Sequence, residues 1–358
     1  MSEDAKNSDN NEGADANNAP APKLPFLKHK AFIYTALVGA VALVIALSTL
    51  VGLYAYARAE FYAEAQTDSD QVFLLPHGTG LNATAARLHD AGLISSSLIF
   101  RLTMRITEQG NNLKAGEYAI PAGASMAQIA SILESGKSIL HKITLAEGLT
   151  SWEIMQIIAA DPVLVGEEVE VPSEGSLLPE TYLFTRGTSR AEIVAQMQAA
   201  HDEVAARLWD ARAENLPIDT LEEAVILASI VEKETALAAE RPRVAAVFVN
   251  RLRRGMRLQS DPTIIYGLTD GKGPLGHPIR RSELNRKTAY NTYQIDGLPP
   301  TAIANPGKAS LAAVLNPPDT TELFFVADGT GGHAFAETHR EHERNVAKWR
   351  RIERSRRQ

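Results

Sequence analysis

Residues 143–158 read ITLAEGLTSWEIMQII, and the same plan recurs as YAIPAGASMAQIASIL at 118–133 and as YLFTRGTSRAEIVAQM at 182–197. Each copy is a short apolar run, a glycine (Gly123, Gly148, Gly187), a Ser or Thr two residues later, and a Gln or Glu three residues beyond that. The spacing predicts a strand that turns into a helix through a capping box, using Ser125 with Gln128, Thr150 with Glu153, and Ser189 with Glu192. A weaker copy follows VFLLPHG, with Gly80 at the cap position. Units of this kind build small layers of strand and helix, so the expected class is α+β, and their first purpose is packing. Gly136 and Ser138 interrupt the pattern between a helix expected over 127–133 and a strand expected over 139–145, which places a domain boundary there.

Upstream, residues 31–57 read AFIYTALVGAVALVIALSTLVGLYAYA without a single charge. As a helix rising ~1.5 Å per residue these would span ~40 Å, enough to cross a bilayer with some tilt. A cleaved leader would have an apolar run of only ~7–15 residues and a small-residue cleavage site, so a retained single-pass anchor is expected. Lys23, Lys28 and Lys30 precede the run, and Arg58 and Glu60 follow it with mixed sign. That bias puts the N-terminus in the cytoplasm and the rest outside, with Tyr54 and Tyr56 at the outer headgroup level. Residues 1–30 are rich in Asn, Asp, Ala and Pro and read as a disordered tail.

The chain has 358 residues, 45% hydrophobic and 22% charged, with a net charge of -7. That balance suits globular domains and lacks the basic footprint of a nucleic-acid binder. Cysteine is absent, which excludes thiolate nucleophiles, thiolate metal sites and disulfides.

Beyond Asn215 the pattern changes. Thr220 and Glu223 make another capping box, opening the apolar helix LEEAVILASIVEKET. Leu221, Val225, Ala228 and Glu232 are spaced 4, 3 and 4, so a carboxylate continues an apolar stripe. Desolvation and the negative end of the helix dipole both disfavour its charged form, as a general acid requires, whereas Lys233 and Arg241 pull the other way. A helix-end residue in a local salt bridge fits the same pattern. Glu234, two residues on, is expected on another face and in solvent. A second helix starts near Pro242, carries Val244, Val247, Phe248 and Leu252 on one stripe, and ends at Gly255.

Other constellations are thinner. His339 and His342 stand three apart on a helix capped by Thr338 and Glu341, a metal-compatible spacing, but His333 is the one further ligand near in sequence, so no metal site is assigned. Gly329, Gly331 and Gly332 join two expected strands at 323–327 and 333–335 and read as a hairpin turn rather than a phosphate loop. No nucleophile elbow is present. Tyr266, Tyr290, Tyr293, Phe335 and Trp349 suit sugar stacking and core packing equally.

ILASIVEKET, FVNRLRRGMRLQSDPTIIYGL, YNTYQIDGLPPTAIANPG and FFVADGTGGHAFAETHREH, in this order, resemble the endolytic murein transglycosylase, or YceG-like, family. EGSLLPETYLF resembles a further family block, departing from it at Leu178 and Glu180. The likeness covers about residues 68–350. It implies one transmembrane helix at 31–57, a LysM-like subdomain at 68–136 and a mixed α/β catalytic domain at 139–350. It also implies cleavage of the β-1,4 bond between N-acetylmuramic acid and N-acetylglucosamine, leaving a 1,6-anhydro end, with Glu232 as general acid and then base and with no cofactor. By the same resemblance Gln259, Asp261, Thr263, Tyr266, Tyr290, Asn291, Asn305 and His333 line the glycan groove or orient Glu232. The partners implied are peptidoglycan glycan strands and, near them, peptidoglycan synthases, at the inner (plasma) membrane. Two other readings stand beside this one: a peptidoglycan-binding division scaffold without catalysis, and a hydrolase of the lysozyme type that leaves reducing ends.

Overall fold

The computed structural model of the chain describes residues 26–356, without the side chains of 26–31 and 111. The tail expected over 1–30 falls outside these residues up to position 25. Helix α1, Phe26–Tyr62, takes in 26–30 and runs past the expected end at Ala57. The extension has a cause: Phe61 is buried in the first core, and Glu60 accepts a hydrogen bond from the Ser95 hydroxyl. The end of α1 is therefore held by the domain that follows it.

That first core lies between an antiparallel pair, β1 (Gln71–Leu75) and β2 (Gly116–Ile120), and the helices α2 (Leu81–Asp90), α3 (Ser97–Ile106) and α4 (Met126–Ser135). Phe73 stands opposite Tyr118 in the ladder, and both pack with Phe61, Phe100 and Met104. The second core pairs β3 (His141–Thr144) with β4 (Thr181–Phe184), also antiparallel, beneath α5 (Ser151–Ala160) and the start of α6 (Arg190–Asp210). All three expected capping boxes are present, at Ser125, Thr150 and Ser189, as is the one at Thr220.

The third core is mostly helical. It joins α7 (Leu221–Glu234) and α8 (Arg241–Arg253) to α9 (Asp261–Thr269), α10 (Arg281–Leu284), α11 (Lys308–Leu315), the hairpin β5 (Phe324–Ala327) and β6 (His333–Ala336), and the C-terminal α12 (His339–Arg356). Residues Ala224 to Val231 of α7 are all buried, so this helix runs through the centre with apolar neighbours on every side. Three separate two-stranded sheets thus alternate with helices in a mixed fold.

Polar contacts join the first two cores. Glu117 of β2 meets His141 of β3 and accepts from Arg186 Nε at 3.0 Å. Burial opposes its charge, but the His141 and Arg186 contacts outweigh that and hold its carboxyl below the usual carboxylate range.

Phe248 is 1% exposed within the third core. Truncating it in Phe248→Ala is expected to cost ~3–5 kcal/mol through lost burial and a residual cavity, read as a lower midpoint in chemical denaturation followed by circular dichroism.

Candidate functional site

Glu232 occupies the last turn of α7 with 5% of its side chain exposed. Its Oε1 accepts from Arg241 Nη2 at 3.3 Å, and its Oε2 accepts from the Gly307 backbone N–H at 3.0 Å. Gly307 caps the N-terminus of α11, so the carboxylate sits between the negative end of one helix and the positive end of another. The negative end of α7 is therefore offset at Glu232 by the positive end of α11. The local salt bridge that the sequence also allowed is present, to Arg241, and the Gly307 N–H is a second donor.

Arg241 is itself buried, and its Nη2 also lies 3.5 Å from Glu147 Oε2. Two carboxylates from different cores thus share one guanidinium. Burial pushes Glu147 up and the neighbouring Glu232 adds to this, with Arg241 opposing. The loop carrying Glu147 is pinned on both sides. Gly148 donates to Asn305 O at 3.0 Å, Asn305 donates back to Leu149 O at 2.9 Å, and Lys233 Nζ donates to Gly148 O at 3.0 Å. Two glycines make the close approach possible. Gly148 adopts φ +79° beside Glu232 Cγ, and a Cβ at Gly307 would fall 1.7 Å from Glu147 Oε1.

Asn305 is fully buried and uses its whole amide. Oδ1 accepts from Leu177 N–H at 3.0 Å, while Nδ2 donates to Leu149 O, Ser151 Oγ and Glu174 Oε1 at 3.1–3.2 Å. Glu174 also accepts from Ser151 N–H at 2.8 Å and from Tyr266 Oη at 3.3 Å. Burial raises its pKa despite those donors. Tyr266 packs on Tyr290 with ring centres 5.0 Å apart, and the Tyr290 hydroxyl pairs with Thr301 Oγ1 at 2.8 Å.

Glu234 is the main departure from the sequence pattern. It is not in solvent but largely buried, hydrogen-bonded by the Ser260 hydroxyl, and burial pushes its pKa up to about 7. Leu227 and Ile230, seven and four residues earlier, lie beneath it and are fully buried. The last turn of α7 is mixed: Lys233 is exposed, whereas Glu234 is turned toward Ser260 and partly covered.

The other residues singled out from the sequence fall into two groups. Gln259, in the left-handed region at φ 51°, donates its N–H to Thr292 O at 3.1 Å; Thr263 pairs with the Thr292 hydroxyl at 2.9 Å; Asp261 accepts from Tyr293 Oη at 2.8 Å. Asn291 spends its amide on the carbonyls of Glu283, Leu284 and Arg286. This group holds the loops around α9 and α10. His333 belongs with α8: its Nδ1 pairs with Glu240 Oε2 at 2.7 Å, and its N–H donates to Glu240 Oε1 at 2.9 Å. That pair docks the β5–β6 hairpin one residue before Arg241. Phe335 lies under the Arg243 guanidinium at 4.2 Å, and His342 stacks on Phe324 at 5.2 Å. Among the described residues no group of three or more His, Cys, Asp or Glu is arranged to hold a metal ion.

Sequence reasoning passed over Glu147, Glu174, Glu240 and Gly307. Glu147 had one faint signal, a charge immediately before the glycine of the repeated unit, where the copy at Gly123 has Ala122.

A family model matches residues 73–348 of this chain, the model of the YceG-like family. The chain belongs to the YceG-like family. A protein of Streptococcus pneumoniae named endolytic murein transglycosylase is 28% identical over 322 residues, covering 76% of this chain and 57% of its own length. The chain therefore spans little more than half of that relative. A Bacillus subtilis protein of the same name is 28% identical over 308 residues, covering 77% of this chain and 83% of its own length. A YceG-like protein of Listeria monocytogenes, known from its crystal structure, is 29% identical, with a TM-score of 0.47, covering 77% of this chain and 98% of its own.

The raised pKa of Glu234 has a definite sign. Its folded value of about 7 exceeds the ordinary 4.5, so its contribution to stability is fully present below pH ~4.5 and is lost as pH rises to about 7. Glu234→Gln removes that loss. The melting temperature of the variant relative to the parent is expected to rise by a few degrees between about pH 5 and about pH 8, as differential scanning calorimetry would show; a constant difference would remove Glu234 as the titrating group.

Proposed function

We propose that this protein is an endolytic murein transglycosylase, held in the plasma membrane by α1 with its N-terminus in the cytoplasm and its folded part outside. The observation that carries the reaction is the buried Glu232, hydrogen-bonded by Arg241 and the Gly307 N–H. Family membership and the names of the relatives support the substrate class.

In this reading a glycan strand lies over the last turn of α7 and the cap of α11, beside Glu147 and Lys233, which reach the surface there. Glu232 protonates the glycosidic oxygen between N-acetylmuramic acid and N-acetylglucosamine, and the bond from that oxygen to C1 of the muramic acid breaks. The carboxylate left behind keeps Arg241 and Gly307 as donors, which stabilise the charge as it develops. The same carboxylate then takes the proton from the C6 hydroxyl of that muramic acid while its oxygen bonds to C1. Water is not consumed, and the products are a 4-hydroxyl on the glucosamine side and a 1,6-anhydro ring. Asn291, Asn305, Thr263, Gln259 and Asp261 serve by holding the surrounding loops, and Tyr266, Tyr290 and His333 border the groove. The first core, 68–136, is read as a LysM-like, glycan-facing module.

A second reading rests on Glu147. Two carboxylates beside one guanidinium also suit a hydrolase, in which one donates a proton and the other activates water. Product mass separates the two, because an anhydro end is lighter than a reducing end by one water. Full-length protein in detergent, incubated with purified peptidoglycan and read by mass spectrometry, is expected to give anhydro ends. Glu232→Gln is expected to reduce them ~10²–10⁴-fold. Reducing ends in their place would establish the hydrolase, and no product beside an active lysozyme control would leave a binding scaffold.

Glu147→Gln is expected to keep anhydro products and slow their formation by roughly tenfold, as loss of one charge-assisted contact at the site implies. Complete loss of activity would instead assign Glu147 a direct chemical role.

A further inference from the structure

Helix α3 reads SLIFRLTMRI and is apolar on two opposite sides. At 100° per residue, Phe100 and Met104 fall on one side and are fully buried in the first core. Leu98, Leu102 and Ile106 fall on the other side, where they remain 56%, 48% and 71% exposed. Arg101 and Arg105 flank this outer stripe along one edge, and the helix contains no acidic residue. Surface helices ordinarily turn a polar face outward, so a second apolar stripe needs a cover.

The position of the stripe shows what that cover is. Leu102 and Ile106 line a groove of about 520 Å³ together with Leu50, Leu53, Tyr54 and Tyr62 of α1. Residues 31–57 of α1 are free of charge, whereas ~20 helical residues suffice for a hydrocarbon core ~30 Å thick. Counted from Ala31, the core is crossed near Leu50. The turn from Leu50 to Tyr54, the part of α1 that α3 packs beside, then stands at the boundary between acyl chains and headgroups, where Tyr54 suits the interface. With that boundary, Arg58, which lines the same groove, and Arg101 and Arg105 of α3 would stand at phosphate level. The joint is firm, since Phe61 is buried in the same core and Glu60 holds Ser95 just ahead of α3.

We infer that α3 is an interfacial helix: its Leu98–Leu102–Ile106 stripe lies in the acyl and headgroup boundary of the leaflet on the side of the folded domain, with Arg101 and Arg105 on lipid phosphates. The inference rests on α1 being a membrane span. It explains the surplus apolar length of α1, whose last turns are sheathed by α3 and lipid together. It also seats the first core on the bilayer through two elements rather than on a single swivelling helix.

The absence of cysteine makes the test direct. Ile106→Cys, Leu102→Cys, Leu43→Cys in the middle of α1, and Asp90→Cys on exposed α2 are each made in the full chain and labelled with an environment-sensitive fluorophore. The proteins are reconstituted into phosphatidylethanolamine and phosphatidylglycerol vesicles containing lipids with a nitroxide either high or deep on the acyl chain. Labels at 106 and 102 are expected to lose most of their emission to the shallow nitroxide, the label at 43 to the deep one, and the label at 90 to neither. Quenching at 43 without quenching at 106 and 102 would overturn the interfacial helix and leave the anchor standing, including the case where blue-shifted emission shows a protein neighbour in the groove. No quenching at 43 would overturn the anchor and this inference with it.

Discussion

A carboxylate removed from water has to be met by donors, and the third core is arranged around meeting that need at Glu232. Its two oxygens take one donor from α8 and one from the cap of α11, so three helices converge on a single side chain. Arg241 in turn is buried and reaches a second carboxylate, Glu147, which arrives from the second core on a loop pinned by Asn305 and Lys233. Removing any partner would leave a buried charge without compensation, which is far costlier than the pairing is worth in net stability. The cluster specifies an arrangement more than it stabilises one.

Close approach of backbone makes the cluster possible. A Cβ at Gly307 would displace the Glu147 carboxylate from its present place, and one at Gly332 would press on Glu240, which lies 2.6 Å from that position. The glycines at the ends of the motif blocks are therefore contact positions as well as turns. Glu240 and His333 then fix the β5–β6 hairpin at the start of α8, and Arg241 follows Glu240 directly in the chain. Placement of the guanidinium is thereby linked to the hairpin through one peptide unit.

Local chemistry was legible in the sequence wherever partners lie within a few residues. Each capping box and the hairpin at Gly329 to Gly332 follow from spacing alone, because a turn or a cap is satisfied by near neighbours. Glu234 is not legible because what covers it, Ser260 and the loop that carries it, lies 26 residues further along the chain. Glu147 left only a faint local trace, for the same reason at longer range. Its partner, Arg241, is 94 residues away in the chain, and spacing arguments carry no information at that range. α1 was correctly read as a long apolar helix, yet its true end depends on Phe61 entering a core built from residues that come later.

Acidic side chains join α1 to the first core, the first core to the second and the second to the third, the middle joint with charged partners and the other two with neutral donors. Glu60 at the end of α1 takes the Ser95 hydroxyl, a neutral donor at the surface of the first core. Glu117 connects the first core to the second through His141 and Arg186, and its depressed pKa shows that these contacts require the charge. Glu174 connects the second core to the third through Ser151, Tyr266 and Asn305, all neutral donors, and burial raises its pKa. Apolar interfaces would have fused the cores into one unit that tolerates sliding of one surface on another. Hydrogen-bonded joints instead fix direction at each step, because a displacement that apolar packing absorbs breaks a donor–acceptor line. A continuous directional path therefore runs from the helix that leaves the apolar segment, through two small αβ layers, to Asn305 and the loop that delivers Glu147 to Arg241. The orientation of the carboxylate pair, Glu232 buried and Glu147 at the surface, is in this way set relative to α1, not only within its own core.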